Sequence, residues 1–311
     1  MENGLRKKIL KEPSKKLKEP INRIINEVAE RRKIFYPKIL ILVKKMKIEL
    51  QPNKKIYFAS DQHFGAPTPE LSKPREAKFL AWLDEIKKDA QVLFLMGDLF
   101  DFWHEWKYVV PKGYVRILGK LAELKDSGID IYFFVGNHDL WMKDYLEEEI
   151  GIPVFFEKQY YEVSGKNFLL AHGDGLGPGD KGYKRMKKLF TNPIAQWFFK
   201  WLHPDIAMKI AIYFSTKNKM ISGVEDMKFL GEDKEFLIIY SKEKLKSENL
   251  DYFVYGHRHL PMIIDLKVDG KEAKHVNLGD WISYFTYGVF DGEEFKILKH
   301  GDTENAQSTQ E

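Results

Sequence analysis

The stretch Val92-Leu93-Phe94-Leu95-Met96-Gly97-Asp98-Leu99-Phe100-Asp101 decides the reading of this chain. Five consecutive apolar residues fit a strand buried on both faces, and the glycine and aspartates after them put polar chemistry at its carboxyl end. The same grammar recurs on either side. Ile56-Tyr57-Phe58-Ala59 runs into Ser60-Asp61-Gln62-His63, and Ile131-Tyr132-Phe133-Phe134-Val135 runs into Gly136-Asn137-His138-Asp139. Phe168-Leu169-Leu170-Ala171 leads to His172-Gly173-Asp174, and Tyr252-Phe253-Val254-Tyr255 leads to Gly256-His257-Arg258-His259. Helical patterns separate the first three strands, one after Pro74 with Phe79, Leu80, Leu83 and Ile86 on a face, the other from about Tyr114 to Lys125. Apolar strands alternating with amphipathic helices predict an α/β fold of βαβ units whose sheet is covered on both faces. Shorter strands at Met262–Val268, Lys274–Leu278, Tyr284–Phe290 and Glu294–Leu298 are expected to form an antiparallel closing sheet.

Ligands of α/β sheets bind beyond the carboxyl ends of strands, which is where these polar clusters fall. Taken singly, each has an ordinary explanation: a lone His is commonly a structural hydrogen bonder, an Asp after a strand commonly caps the next helix, and Gly-Asn commonly makes a turn. Together they supply Asp, Asn and five His, a mixed nitrogen and oxygen set suited to Mn, Fe or Zn. Glycine before Asp98, Asn137 and His257 lets the chain turn sharply and approach a bound ion. The combination predicts a dinuclear metal centre.

These clusters resemble those of the calcineurin-like metallophosphoesterase superfamily, from Asp61 to His259. Within it the chain looks like the UDP-2,3-diacylglucosamine diphosphatases of lipid A biosynthesis. The closer features are Gly97-Asp98-Leu99-Phe100-Asp101, His172-Gly173-Asp174-Gly175 with Asp180-Lys181-Gly182-Tyr183, and Leu278-Gly279-Asp280-Trp281. The resemblance implies a β-sandwich flanked by helices (αββα) with a helical lid insertion. It implies two divalent ions, Mn2+ with Fe or Zn as alternatives, one on Asp61, His63 and His259 and one on Asn137, His172 and His257, with Asp98 bridging. His138 would act on the developing charge with Asp139 orienting it, and Asp101 would lie behind the ligands. The implied reaction cleaves UDP-2,3-diacylglucosamine to UMP and 2,3-diacylglucosamine 1-phosphate. A soluble phosphodiesterase or phosphatase acting on a nucleotide or other small phosphoester is the alternative. The best-known lipid A enzymes carry Arg where this chain has His138, and Asn-His-Asp is the form of the wider superfamily.

The 311-residue sequence as a whole sets bounds. With 44% hydrophobic residues it can bury a sizeable core, and zero cysteines exclude disulfides, thiolate zinc sites and a cysteine nucleophile. No apolar run is long enough to span a membrane; Ile39-Leu40-Ile41-Leu42-Val43 is too short, and no small-residue cleavage site follows it. A cytoplasmic address is expected. Residues 1–45 carry 14 Lys+Arg against 5 Asp+Glu, and the rest carry 36 against 41, so the body is acidic and no nucleic-acid partner is expected.

We read 1–45 as a basic extension with one short helix around Ile21, Ile24, Ile25 and Val28, 46–300 as the domain, and 301–311 as a disordered tail. An ordinary domain opening begins at Met46, a candidate biological start. A helical insertion is expected over about 176–232; residues 176–220 hold 9 Lys+Arg, 2 Asp and 8 aromatics. Its apolar stripes, Ile194-Phe198-Leu202 and Trp197-Trp201, suit either a helical hairpin packed on the domain or a lid. A lid would accept acyl chains on Trp197, Phe198 and Trp201. Tyr183, Lys184 and Arg185 would meet the substrate phosphates, and the basic residues an anionic membrane surface at the inner face of the cytoplasmic membrane. His104, His203, His275 and His300 lie outside the motifs and are read as structural or surface residues.

Overall fold

A computed structural model describes residues 45–178, 181–222 and 228–301, with the backbone alone described at 181–183 and 214–222. The chain divides into two units at Lys44/Lys45, and the described elements all belong to the unit that begins at Lys45. The helix expected near Ile21, the extension up to Lys44 and the tail from 302 lie outside the described residues.

The strands are β1 (Met46–Ile48), β2 (Lys55–Ala59), β3 (Ala90–Leu95), β4 (Asp130–Phe134), β5 (Val154–Phe155), β6 (Gln159–Val163), β7 (Lys166–Leu170), β8 (Tyr252–Tyr255), β9 (Met262–Val268), β10 (Lys271–Asn277), β11 (Thr286–Phe290) and β12 (Phe295–Lys299). The described helices are α1 (Pro69–Ile86), α2 (Val115–Asp126), α3 (Tyr145–Ile150), α4 (Lys181–Phe190), α5 (Pro193–Lys200), α6 (Pro204–Ser222) and α7 (Phe236–Ser247). The strands form two six-stranded sheets, in the orders β1-β6-β7-β8-β10-β9 and β12-β11-β2-β3-β4-β5.

The continuous apolar strands are explained by layering. Ile56, Phe58, Val92, Phe94 and Phe134 of one sheet meet Tyr161, Phe168, Tyr252 and Val254 of the other in a buried middle layer. The alternate residues Tyr57, Leu93, Leu95, Ile131 and Phe133 point outward under Phe79, Trp82 and Leu83 of α1 and Ile117, Leu121 and Leu124 of α2. On the far side Leu169, Phe253 and Tyr255 are covered by Leu237, Ile238 and Leu245 of α7. The result is an αββα sandwich, and each such side chain contributes roughly 1.5–3 kcal/mol through burial.

Two sequence expectations need correction. The four late strands do not make one closing sheet: β9 and β10 pair antiparallel at one edge of the first sheet, while β11 and β12 pair antiparallel in the second. Hairpin pairing is local, but the choice of sheet depends on β10 lying parallel to β8 and β11 antiparallel to β2. Helix α1 begins before Pro74 and runs through it; Thr68 caps it by accepting the Leu71 N–H, and Pro69 takes the first turn, where no donor is needed.

The parallel runs β2, β3 and β4 and the parallel pair β7 and β8 bring the five polar clusters to one end of the sandwich. Because β10 is parallel to β8, Asp280 arrives there too. No described helix is long and apolar enough to cross a membrane.

Candidate metal centre

The backbone is contorted where the donors sit. Asp61, His63, Asp98, His257 and His259 all have positive φ, between 46° and 68°. Each such conformation costs a non-glycine residue on the order of 1–3 kcal/mol and persists only where surrounding bonds fix it. Here Asp61 N donates to Gly97 O (3.1 Å), His63 N to Asp98 O (2.9 Å) and Gly256 N to His172 O (2.9 Å). Gly136 and Gly256 are required by close approach: a Cβ on the first would overlap the Asp98 carboxylate, and one on the second would overlap Ser60 Oγ and Asp61 Oδ2. The room that these glycines make is taken by atoms of the donor loops.

Asp98 lies at the middle. Its Oδ1 accepts the His138 N–H (2.8 Å), while Oδ2 is 3.6 Å from His63 Nε2 and 3.5 Å from His172 Nε2. On one side, Asp61 Oδ1 is 3.4 Å from His259 Nε2 and 3.8 Å from His63 Nε2, and the two Nε2 atoms are 3.3 Å apart. On the other, Asn137 Oδ1 is 2.8 Å from His257 Nδ1 and 3.2 Å from His172 Nε2. Asp61, His63 and His259 offer ligand atoms within 4.8 Å of one another, as do Asp61, Asp98 and His172, and also His63, Asp98 and His138. Asp61 is fully buried, and its Oδ1 has no hydrogen-bond donor. A buried carboxylate oxygen facing imidazole edges, with no donor of its own, fits a cation.

The outer edges of the rings are anchored. His172 Nδ1 lies 2.8 Å from Met96 O, and His259 Nδ1 lies 3.1 Å from Asp280 Oδ2. Such partners fix the tautomer and leave Nε2 as the donor. Asp280 is itself held by the N–H groups of Ile282, Ser283 and Tyr284 at 2.8–3.1 Å. Sequence reasoning singled out Leu278-Gly279-Asp280-Trp281 but gave Asp280 no role.

Asp139 differs from expectation. Its Oδ1 receives Gly136 N–H (2.6 Å) and its Oδ2 receives Leu99 N–H (3.1 Å), so it ties the loop after β4 to the loop after β3. The group beside His138 is Asp101, whose carbonyl is 2.9 Å and whose Oδ1 is 3.4 Å from His138 Nδ1; the same Oδ1 is 3.5 Å from His63 Nδ1.

The charges are interlocked. Burial works to raise the Asp98 carboxyl, yet His172 and then His138 hold it well below the usual carboxylate range. Burial opposes a proton on His172, but Asp98 and Asp61 push the imidazole up to about 10. Burial, and then His172, lower His257 to about 4. Burial, and then Asp98, push the Asp139 carboxyl up to about 7. The neighbouring carboxylates favour a positive charge on His172 that a dication would supply instead, so metal binding would be linked to loss of that proton.

The insertion resolves into α4, α5 and α6. Phe199 packs on the domain, 4.4 Å from Trp141, 5.2 Å from His104 and 6.2 Å from Phe102 between ring centroids, and Trp141 Nε1 donates to Phe190 O (2.7 Å). Trp197, Phe198 and Trp201 are 37%, 64% and 74% exposed, and the Trp197 ring lies against both of the others. Sequence stripes named those three and missed Phe199, although an aromatic directly after the Asn-His-Asp-Leu run was a usable signal. Lys184 donates to Gly177 O (2.7 Å), Lys187 pairs with Asp174, and Arg185 is exposed. The Tyr183 side chain lies outside the described residues. His104 is buried among aromatics and His275 bonds Ser241 Oγ (3.1 Å), both structural; His203 is at the surface.

A family model described as calcineurin-like phosphoesterase matches residues 54–261. A Porphyromonas gingivalis protein named UDP-2,3-diacylglucosamine hydrolase is 39% identical over 264 residues, covering 80% of this chain and 99% of the relative. Proteins of the same name from Edwardsiella ictaluri (27% identical, 78% of this chain, 90% of the relative) and Pseudomonas putida (28%, 73% and 90%) are also similar. The strand-end donors, the sandwich that gathers them and this match over most of the domain agree: the chain belongs to the calcineurin-like phosphoesterase family.

Proposed function

We propose that this chain is a dinuclear metal-dependent hydrolase that cleaves UDP-2,3-diacylglucosamine to UMP and 2,3-diacylglucosamine 1-phosphate, with Mn2+ as its metal. The observation that carries the metal reading is Asp98 Oδ2, poised between His63 Nε2 at 3.6 Å and His172 Nε2 at 3.5 Å. Asp61, His63 and His259 would hold one ion and Asn137, His172 and His257 the other, with Asp98 between the two sets. When bound, two such ions lower the pKa of a water and neutralise charge on the phosphoryl oxygens. His138 donates Nδ1–H to the Asp101 carbonyl, and in its imidazolium form it carries a second proton on Nε2 that passes to the departing phosphate oxygen and leaves the ring neutral. Asp101 fixes the orientation of the ring, and Asp139 keeps the two loops in register.

The substrate reading draws on the relatives' name and on the insertion. Trp197, Phe198 and Trp201 present apolar surface for acyl chains, Tyr183 and Arg185 serve the phosphates, and the basic insertion holds the protein at the anionic inner face of the cytoplasmic membrane. One observation favours the alternative of a small soluble phosphoester: Lys184 and Lys187 are engaged in internal bonds and do not face outward as free cations. The test is Mn2+-loaded protein offered acylated UDP-glucosamine, UDP-sugars without acyl chains and an aryl phosphodiester. Preferred turnover of the acylated substrate supports the reading; turnover of the soluble compounds alone overturns it.

A further inference from the structure

The loop that presents His257 and His259 is built around a strained turn. Arg258 N donates back to Gly256 O at 2.8 Å, closing a three-residue turn centred on His257 at φ 68°. A γ-turn with positive φ at its centre is rare and costly. His259, two residues on, is also left-handed at φ 53°. Two of the seven proposed ligands therefore hang on a conformation that the chain would relax if released.

Three bonds hold this turn from the side of the metal centre. Gly256 O also accepts Asn277 Nδ2 (2.7 Å), His257 N donates to Asp61 Oδ2 (2.9 Å), and His259 Nδ1 lies 3.1 Å from Asp280. The residue between the two histidines points away from the metal centre. Arg258 Nε donates to Glu235 Oε2 and Nη2 to Glu235 Oε1, both at 3.0 Å, with a further bond from Nη2 to Lys228 O at 3.0 Å. Arg258 is 6% and Glu235 2% exposed. Glu235 is in turn fixed: its Oε1 takes the Leu230 N–H, its N–H bonds Gly231 O, and it immediately precedes α7, which packs on the sheet. Two parallel N–H···O bonds define position and plane together, which a single ammonium does not.

We infer that Arg258 and Glu235 are positioning residues of the metal centre, a buried fork that holds the strained turn so that His257 and His259 each face an ion. This rests on the dinuclear reading of the site. A structural ion pair would matter only to folding; a positioning pair matters to metal affinity even where stability is restored. Replacing a buried pair with apolar residues of similar volume is commonly tolerated by the fold, whereas loss of groups that orient metal ligands typically costs about 10–100-fold in metal affinity.

The experiment measures Mn2+ stoichiometry and affinity by equilibrium dialysis on the full chain, beside the melting temperature of the metal-free protein. The variants are Glu235→Gln and the double variant Arg258→Met/Glu235→Met. The expected result is two ions in the unaltered chain and a near-normal melting temperature in the double variant. In that variant, affinity for at least one ion should fall about 10–100-fold. Glu235→Gln keeps one acceptor and should fall between. Wild-type Mn2+ affinity in a folded double variant overturns the inference while leaving the dinuclear reading intact. Fewer than two ions in the unaltered chain overturns the dinuclear reading, and this inference with it.

Discussion

Replacing His138 with alanine removes an imidazole while sparing the backbone that the metal centre uses. The His138 N–H that anchors Asp98 Oδ1 at 2.8 Å survives the substitution. What is lost is the ring's contact with Asp101 (2.9 Å to the carbonyl) and its edge-to-face packing on His63 at 4.6 Å between centroids. Metal content should therefore be retained. A positioned acid of this kind contributes about 10²–10⁴-fold, so kcat should fall by that factor, equivalent to about 2.7–5.4 kcal/mol at 1.36 kcal/mol per decade. The assay pairs elemental analysis of the purified variant with kcat at saturating Mn2+. His172→Ala is the contrast: it removes a ring 3.5 Å from Asp98 Oδ2 and should lose metal as well as activity. If His138→Ala loses an ion, or keeps kcat within a few-fold of the unaltered chain, the role assigned to His138 is wrong.

The other expectations concern the insertion, the extension and pH. Replacing Trp197, Phe198 and Trp201 with Ser removes rings that are 37–74% exposed and lie outside the buried core clusters, so folding should hold. Losing burial of four methylenes at about 0.8 kcal/mol each would raise KM for the acylated substrate on the order of a hundredfold, with the aryl phosphodiester unaffected. Equal losses on both substrates, with a drop in helical circular dichroism, would instead make these rings packing residues. A chain beginning at Met46 keeps the β1–β6 register from Met46↔Tyr161 and gives up the Lys45–Glu162 pair, worth about 0–1 kcal/mol and a melting shift within about 2–4 °C. A larger fall in a thermal scan would make residues 1–45 part of the domain. His172 is raised from 6.5 to about 10 in the metal-free chain, so its stabilising contribution is complete below pH 6.5 and lost as pH rises through about 10. Mn2+ affinity should run the opposite way, rising across that window with proton release. Calorimetry in buffers of different ionisation enthalpy that finds no released proton at pH 7.5 would contradict the linkage.

The sequence carried the parts of this fold that are local. An apolar run such as Val92–Met96 declares a strand covered on both faces, and a polar cluster at its end declares where ligands bind, because both follow from burial alone. The five strand-end clusters that contain the seven proposed ligands were legible for the same reason, while the choice of ligands within each cluster rests on the resemblance to the metallophosphoesterase superfamily. What was not legible depends on partners distant in the chain. The β11–β12 hairpin reads the same whether it joins one sheet or the other, and only its pairing with β2 decides. Asp139 lies two residues from the proposed ligand Asn137 and Asp101 three from Asp98; which of them meets His138 depends on how two loops cross, and the crossing gives Asp139 to backbone N–H groups. Phe199 and Trp141 are separated by 58 positions and meet only because α5 folds back on the domain. Glu235 looks like a surface charge in sequence, and its burial against Arg258 is visible only once α7 is docked.

The central claim is that Asp98 is shared by two cations. Crystals grown with Mn2+, with anomalous diffraction recorded at the manganese edge, test it most directly. The predicted result is two peaks flanking Asp98 Oδ2, one in contact with Asp61, His63 and His259 and the other with Asn137, His172 and His257, and the loss of both in Asp98→Asn. A single peak, or two peaks that persist unchanged in Asp98→Asn with normal turnover, would contradict it.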